Sequence, residues 1–249
     1  MTTKIYALDF DGVICDSAVE TGTAGWLVGQ QIWTDMPEQL PANLLNLFRQ
    51  VRPVMETGYE AILIMRLLFE GMDSTILMES VNHHLQALMI RDDLTVEELK
   101  ALFGETRDQW IAEAPDNWIA MNPLFDGIAN KFKHLETDNS YIITTKQERF
   151  VDQILQANAI DFPMDRIYGL DRNLSKTQIL SDLSQEKPDA EILFVEDRLP
   201  TLINVITDER LDEVKLFLAD WGYNTPHDRD SAASIKRIRT ISLTDFQQL

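Results

Sequence analysis

The chain is predicted to form an α/β fold: a doubly wound, Rossmann-like parallel sheet interrupted by an all-helical insert. Three observations predict it. From about Pro123 onward, short apolar strand-like runs alternate with helical segments. One further strand-like run, Lys4-Ile-Tyr-Ala-Leu-Asp-Phe-Asp-Gly-Val13, stands alone near the start. Between them lies a long section with helical periodicity and no period-two pattern. Alternation of strands and helices implies a parallel sheet covered on both faces, so the first strand joins the later ones and the middle section is an insertion. The expected division is an α/β core of residues 1–18 and 119–249 around a helical cap of residues 19–118.

The first run ends in two acids, Asp9 and Asp11, followed at once by Gly12. Side chains alternate faces along a strand, so Asp9 and Asp11 are expected on one side and Phe10 on the other. Two carboxylates held together there need a cation or a proton between them. Gly22, Gly25 and Gly29 do not follow the strand at dinucleotide-fingerprint spacing, which leaves a loop or tight helix packing.

Within the helical section, Pro53 to Phe69 carries Val54, Ile62, Leu63, Leu67 and Leu68 at helical spacing, with a stop at Gly71. Asp73 or Ser74 caps a second helix reaching Met89. Thr95-Val-Glu-Glu98 is a capping box opening a third, with Leu99, Leu102, Phe103 and Trp110 along one face. His83 and His84 lack a partner acid or cysteine at metal spacing and read as surface or packing residues, and Arg49, Arg52 and Arg66 are candidate substrate contacts.

Beyond Pro123, Ser140 to Thr144 reads as a strand, and Thr145-Lys-Gln-Glu148 as the cap of a helix reaching about Asn158. Arg166 to Leu170 is a weaker strand. Ser175-Lys-Thr-Gln178 has capping-box form and opens a helix through Leu183. Glu191 to Val195 is a strong strand running into Glu196-Asp197, followed by a helix from about Pro200 to Ile206. Val214 to Ala219 and Arg239 to Ser242 complete the strands, and the Asp228-Arg-Asp230 cluster reads as solvated loop.

Composition narrows the function classes. A chain of 249 residues with 45% apolar content can fill a substantial core. A formal charge of -19 argues against nucleic acid or an anionic membrane surface as partner, since both demand an excess of Lys and Arg. The one cysteine, Cys15, cannot close an internal disulfide, no apolar run reaches the roughly 18 residues a membrane span requires, and the first strand leaves no room for a signal peptide. A cytoplasmic protein is expected.

Ligands of open parallel sheets bind outside the carboxyl ends of the strands. Those ends hold Asp9 with Asp11, Thr144 with Thr145, the Ser175-Lys176 helix start, and Glu196 with Asp197. The collection suits phosphoryl transfer. One carboxylate can attack phosphorus and a second can move the proton. A hard divalent cation, Mg²⁺, can bridge carboxylates and phosphate oxygens, while a hydroxyl, an ammonium and helix amides hold the remaining oxygens.

Asp9-Phe-Asp-Gly-Val13, extended by Cys15-Asp16-Ser17, resembles the first motif of the haloacid dehalogenase superfamily, in the phosphoglycolate phosphatase-like branch with a helical cap inserted directly after it. Ile142-Ile-Thr-Thr-Lys146 resembles the second motif, Lys176 the third, and Phe194-Val-Glu-Asp197 the acidic fourth. Ala219-Asp-Trp-Gly-Tyr223 resembles the stretch after the last core strand. The resemblance implies Asp9 as nucleophile and metal ligand, and Asp11 as general acid/base whose main-chain carbonyl also reaches the metal. It implies Gly12, Thr144, Thr145 and Lys176 around the phosphoryl group, and Asp197 on Mg²⁺. Many members carry a further Asp where this chain has Thr201, so Glu196 is expected to supply that metal interaction, directly or through water. The implied activity is a Mg²⁺-dependent phosphatase for a small phosphorylated metabolite, the cap closing over the site. A phosphomutase using the same aspartyl phosphate, or a phosphate-binding regulatory protein without turnover, are the alternatives.

Overall fold

The computed structural model describes residues 3–249, and the chain separates into two compact units. One ends at Asp16 and resumes over Leu124–Leu249; the other is Ser17–Pro123.

The second unit is built from α1 (Ala18–Ile32), α2 (Leu44–Val51), α3 (Glu60–Phe69), α4 (Ser74–Glu79), α5 (Val81–Arg91), α6 (Val96–Glu113) and α7 (Pro115–Ala120). The three early glycines lie inside α1 and serve close packing. A Cβ at Gly25 would sit 2.6 Å from the Ala61 carbonyl oxygen, so α1 and α3 approach at a distance that only glycine permits. Helix α3 starts later than its apolar pattern suggests. Pro53 belongs to a separate 3-10 turn, Arg52–Val54, and the helix begins where the Glu60 carboxylate accepts the amides of Glu56 and Thr57. Asp73 caps α4, accepting from the Thr75 amide, but the expected helix to Met89 breaks at Ser80, whose φ of -149° is not helical. The Thr95–Glu98 capping box forms as read. Gly71 ends the α3 turn at φ 88°.

Trp26, Phe48, Ile62, Leu63, Leu99 and Phe103 fill the core of this unit, each such side chain contributing on the order of 2 kcal/mol by leaving water. Within that core, Arg107 donates two 2.6 Å hydrogen bonds to the Glu20 carboxylate, which also accepts from Trp118 Nε1 at 3.0 Å. Arg66 is held by Asp35 and Glu70 and lies over the Trp33 ring; a structural role therefore occupies one of the three candidate arginines.

In the other unit, six strands form one parallel sheet: β1 (Lys4–Leu8), β2 (Ser140–Ile143), β3 (Ile167–Tyr168), β4 (Glu191–Glu196), β5 (Lys215–Ala219) and β6 (Ile238–Ile241). Their order is β3-β2-β1-β4-β5-β6. The helices α8 (Ile128–His134), α9 (Glu148–Ala157), α10 (Lys176–Glu186), α11 (Leu199–Ile206), α12 (Pro226–Ala233) and α13 (Leu243–Gln248) complete the unit. β1 and β4 are central and run in register from Lys4 opposite Glu191 to Leu8 opposite Val195. Apart from the half-buried Tyr6 their interior residues are buried, which is why both read as nearly continuous apolar runs. The sheet is the doubly wound arrangement expected, with its strand order reversing between β1 and β4.

Three local expectations need correction. Thr145 does not cap α9, whose N-cap is Gln147; the Glu148 side chain instead accepts from the Gly169 amide and Arg172. The Asp228-Arg-Asp230 cluster lies in α12, opened by a capping box between Thr225 and Asp228. A similar box, Ser242 with Asp245, opens α13, a helix not expected from the sequence. Among the described residues, no helix is long and apolar enough to cross a membrane.

Candidate active site

Strand order reverses between β1 and β4, and ligands of such sheets bind beyond the carboxyl ends of the strands at that point. Asp9 follows β1, and Glu196 and Asp197 end and follow β4. The ladder extends one bond past β1, from the Asp9 amide to the Val195 carbonyl at 2.9 Å. After that the chain turns. The amides of Ile14 and Cys15 both donate to the Phe10 carbonyl, and Gly12 adopts φ 94°. The ladder therefore carries Asp9, whereas Asp11 lies in the turn that Gly12 completes, and Phe10 between them is fully buried.

Carboxylate oxygens of Asp9, Glu196 and Asp197 lie within 4.8 Å of one another, and all three residues are buried. Lys176, the first residue of α10, reaches into this cluster. Its Nζ donates to Asp9 Oδ1 at 2.6 Å and to Glu196 Oε2 at 2.7 Å. Ser175 places it there, capping α10 by accepting the Gln178 amide at 3.1 Å. Burial pushes the Asp9 carboxyl up to about 7, with Glu196 and Asp11 adding to the rise and Lys176 opposing it. Burial works to lower the Lys176 ammonium, but Asp9 and Glu196 outweigh it and hold it above its ordinary value. Three buried carboxylates facing one ammonium leave an excess of negative charge. An all-oxygen donor set of this kind can hold a hard divalent cation, which would cancel that excess.

Asp197 is fixed from the far side by the chain after β5. Its Oδ2 accepts the Tyr223 amide at 2.7 Å, and its carbonyl accepts from Asn224 Nδ2 at 2.9 Å. A Cβ on either Gly12 or Gly222 would overlap the Asp197 side chain, so two glycines make the space it occupies. Trp221 Nε1 donates to the Val13 carbonyl and the Tyr223 hydroxyl to Asp16, tying this segment to the turn after β1. Glu196 has both oxygens in use, Oε1 accepting the Arg198 amide at 3.1 Å. Thr201 lies in the first turn of α11.

The remaining stations follow β2. Thr144 is buried, and its Oγ1 accepts the Lys146 amide at 3.1 Å. Thr145 is exposed, unlike its neighbour. Lys146, to which sequence reasoning assigned no role, is only 4% exposed and places its Nζ 3.0 Å from Asp11 Oδ1. Each of the two acids after β1 thus has a lysine: Lys176 for Asp9, Lys146 for Asp11. The available signal for Lys146 was a lone cation three residues past the end of β2. Tyr223 was marked only as the end of the Ala219–Tyr223 stretch, with no role, and Asn224 was missed, because backbone and amide contacts leave no pattern in the residue types.

No protein-family model and no curated protein matches the chain. Solved structures do. A predicted phosphatase from Clostridium acetobutylicum superposes with a TM-score of 0.58 at 16% identity, covering 100% of this chain and 97% of its own. A haloacid dehalogenase-like family hydrolase from Streptococcus pneumoniae gives a TM-score of 0.58 at 16% identity, with 99% and 96% covered. Protein Tyrosine Kinase A of Mycobacterium tuberculosis gives 0.58 at 18% identity, with 99% and 97% covered. Proteins described as phosphatase, hydrolase and kinase share this architecture, and fold alone does not choose among reactions. The likeness does establish the architecture: this chain has the fold that these three structures share.

Proposed function

We propose that the protein is a Mg²⁺-dependent phosphatase acting on a small phosphorylated metabolite through an aspartyl-phosphate intermediate. The observation that carries this reading is the pair of acids after β1, each with its own lysine, beside a cluster of three buried carboxylates. The neighbouring structures described as a phosphatase and a hydrolase support it.

In the first step, an Asp9 oxygen attacks phosphorus and the bond from phosphorus to the ester oxygen breaks. The electron pair stays on that oxygen, which takes the carboxyl proton of Asp11 and leaves as the alcohol. Water then attacks the phosphorus of the aspartyl phosphate and gives its proton to the Asp11 carboxylate. The acyl-phosphate bond breaks toward Asp9, releasing phosphate and restoring both acids. Thr144 and Lys176 hold the phosphoryl oxygens, and Lys176 also lessens repulsion between Asp9 and an anionic substrate. Asp9, Asp197 and Glu196 are the residues that would hold Mg²⁺, whose charge offsets that of the transferring group when bound.

The test is a panel of phosphorylated metabolites assayed with Mg²⁺ and with chelator. Phosphate release that requires the metal and vanishes in Asp9→Asn is the expected result. Turnover that persists in Asp9→Asn removes the assigned nucleophile, and binding without turnover across the panel removes the phosphatase.

A further inference from the structure

Lys146 asks for an explanation that packing does not supply. Its side chain is almost wholly buried, and a methionine or leucine would fill the same space without the cost of desolvating an ammonium. That cost is several kcal/mol per ion unless a counter-charge with good geometry offsets it. The counter-charge is Asp11, 3.0 Å from Nζ, with its side chain only 16% exposed. The segment bearing Lys146 is itself fixed. Its amide donates to Thr144 Oγ1 at 3.1 Å, its carbonyl accepts from the Leu170 amide at 3.0 Å, and Gly169 lies so close that an added Cβ would be 2.7 Å from that carbonyl. A rigid loop therefore presents a buried cation to the Asp11 side chain.

We infer that Lys146 is a positioning residue: it holds the Asp11 side chain beside the departing ester oxygen and stabilises the carboxylate that forms there when the proton passes to that oxygen. The inference rests on the phosphatase reading of the site. It separates the two lysines by task, Lys176 serving the nucleophile and the phosphoryl group, Lys146 serving the acid that completes departure. It also names a dependence that a purely structural ion pair lacks. An alkoxide cannot leave without a proton, whereas p-nitrophenolate can, so displacing Asp11 slows departure of the poor leaving group far more than the good one.

The experiment measures single-turnover release of the alcohol from glycerol phosphate and of nitrophenolate from p-nitrophenyl phosphate, so that only the first step is read. Wild type, Lys146→Met, Lys146→Arg and Asp11→Asn are compared. General acid catalysis contributes roughly 10²- to 10⁴-fold; in Lys146→Met the rate of alcohol release is expected to fall at least tenfold further than that of nitrophenolate release. Asp11→Asn should show the same selective loss, and Lys146→Arg should recover most of it. Equal losses on both esters, or no recovery by arginine, overturn the inference. If Lys146→Met does not fold, Lys146→Gln takes its place in the same comparison. If the wild type turns over neither these esters nor any member of the metabolite panel, the phosphatase reading fails by itself. A crystal structure of the variant then decides the positioning claim: a carboxylate displaced by more than about 1 Å supports it, and one left in place overturns it.

Discussion

Gly12→Ala is a severe test of the turn that aims the site. Two costs can be worked out from the geometry. Gly12 sits at φ 94°, and an L-residue placed on that side of the map loses about 1–2 kcal/mol. The added Cβ would also overlap the Asp197 carboxylate and come within 2.9 Å of the Tyr223 ring. Neither neighbour is a free side-chain end, because the Asp197 carboxylate is buried and bound by the Tyr223 amide at 2.7 Å. Moving it away gives up a hydrogen bond to a charged group, about 1.5–3 kcal/mol. The combined loss is about 2.5–5 kcal/mol, a large part of the roughly 5–15 kcal/mol that stabilises a typical domain. Urea unfolding of the metal-free protein should show a lower midpoint with an unchanged slope. Calorimetric titration should show weakened Mg²⁺ binding, because the displaced side chain is one of the three clustered acids. A loss below about 1 kcal/mol together with wild-type Mg²⁺ affinity would refute the reasoning, since the turn would then relax without disturbing Asp197.

Three further outcomes follow from the same contacts. With the Asp9 carboxyl raised from 3.8 to about 7, the folded metal-free protein keeps a proton that the unfolded chain has lost, so stability should fall as pH rises between those values. Asp9→Asn should flatten that fall in a series of melting temperatures, and an equally steep fall in the variant would assign the slope to another group. Arg107→Met strands the fully buried Glu20 carboxylate and should cost about 3–5 kcal/mol in chemical denaturation, partly recovered by adding Glu20→Gln; a loss under 1 kcal/mol would mean the pair is effectively solvated. Ser175→Ala removes the cap that seats Lys176 and should cost about 1 kcal/mol, with calorimetry and circular dichroism showing whether the start of α10 frays.

Legibility in the sequence followed the range of the interactions. The strands announce themselves because both faces are buried, as Ile192 to Val195 illustrates. Thr95 and Ser175 are readable because a cap is settled within four residues. Thr225–Asp228 and Ser242–Asp245 went unread because the reciprocal acid is aspartate in place of the longer Glu or Gln. Thr145 misled for the opposite reason: it has capping-box form with Glu148, whose side chain is claimed by Gly169 and Arg172 from a distant segment. The site divides the same way. Asp9, Lys176 and Asp197 occupy strand ends and a helix start, which periodicity locates. Lys146 paired with Asp11, and Tyr223 on Asp197, join positions far apart in the chain, and only the sheet order brings them together.

Where the α/β unit breaks off and resumes, Cys15 and Leu124 form an antiparallel bridge, and the Phe125 amide donates to the Ile14 carbonyl at 3.1 Å. The backbone on the two sides of the interruption is therefore stitched edge to edge. For this unit the long excursion is topologically a hairpin loop. Closing such a loop costs entropy that grows only with the logarithm of its length, so the excursion can be lengthened, shortened or exchanged while the register of β1 with its neighbours stays where it is. A few residues joining Asp16 to Leu124 would close the same seam, because the chain leaves and returns at adjacent backbone positions.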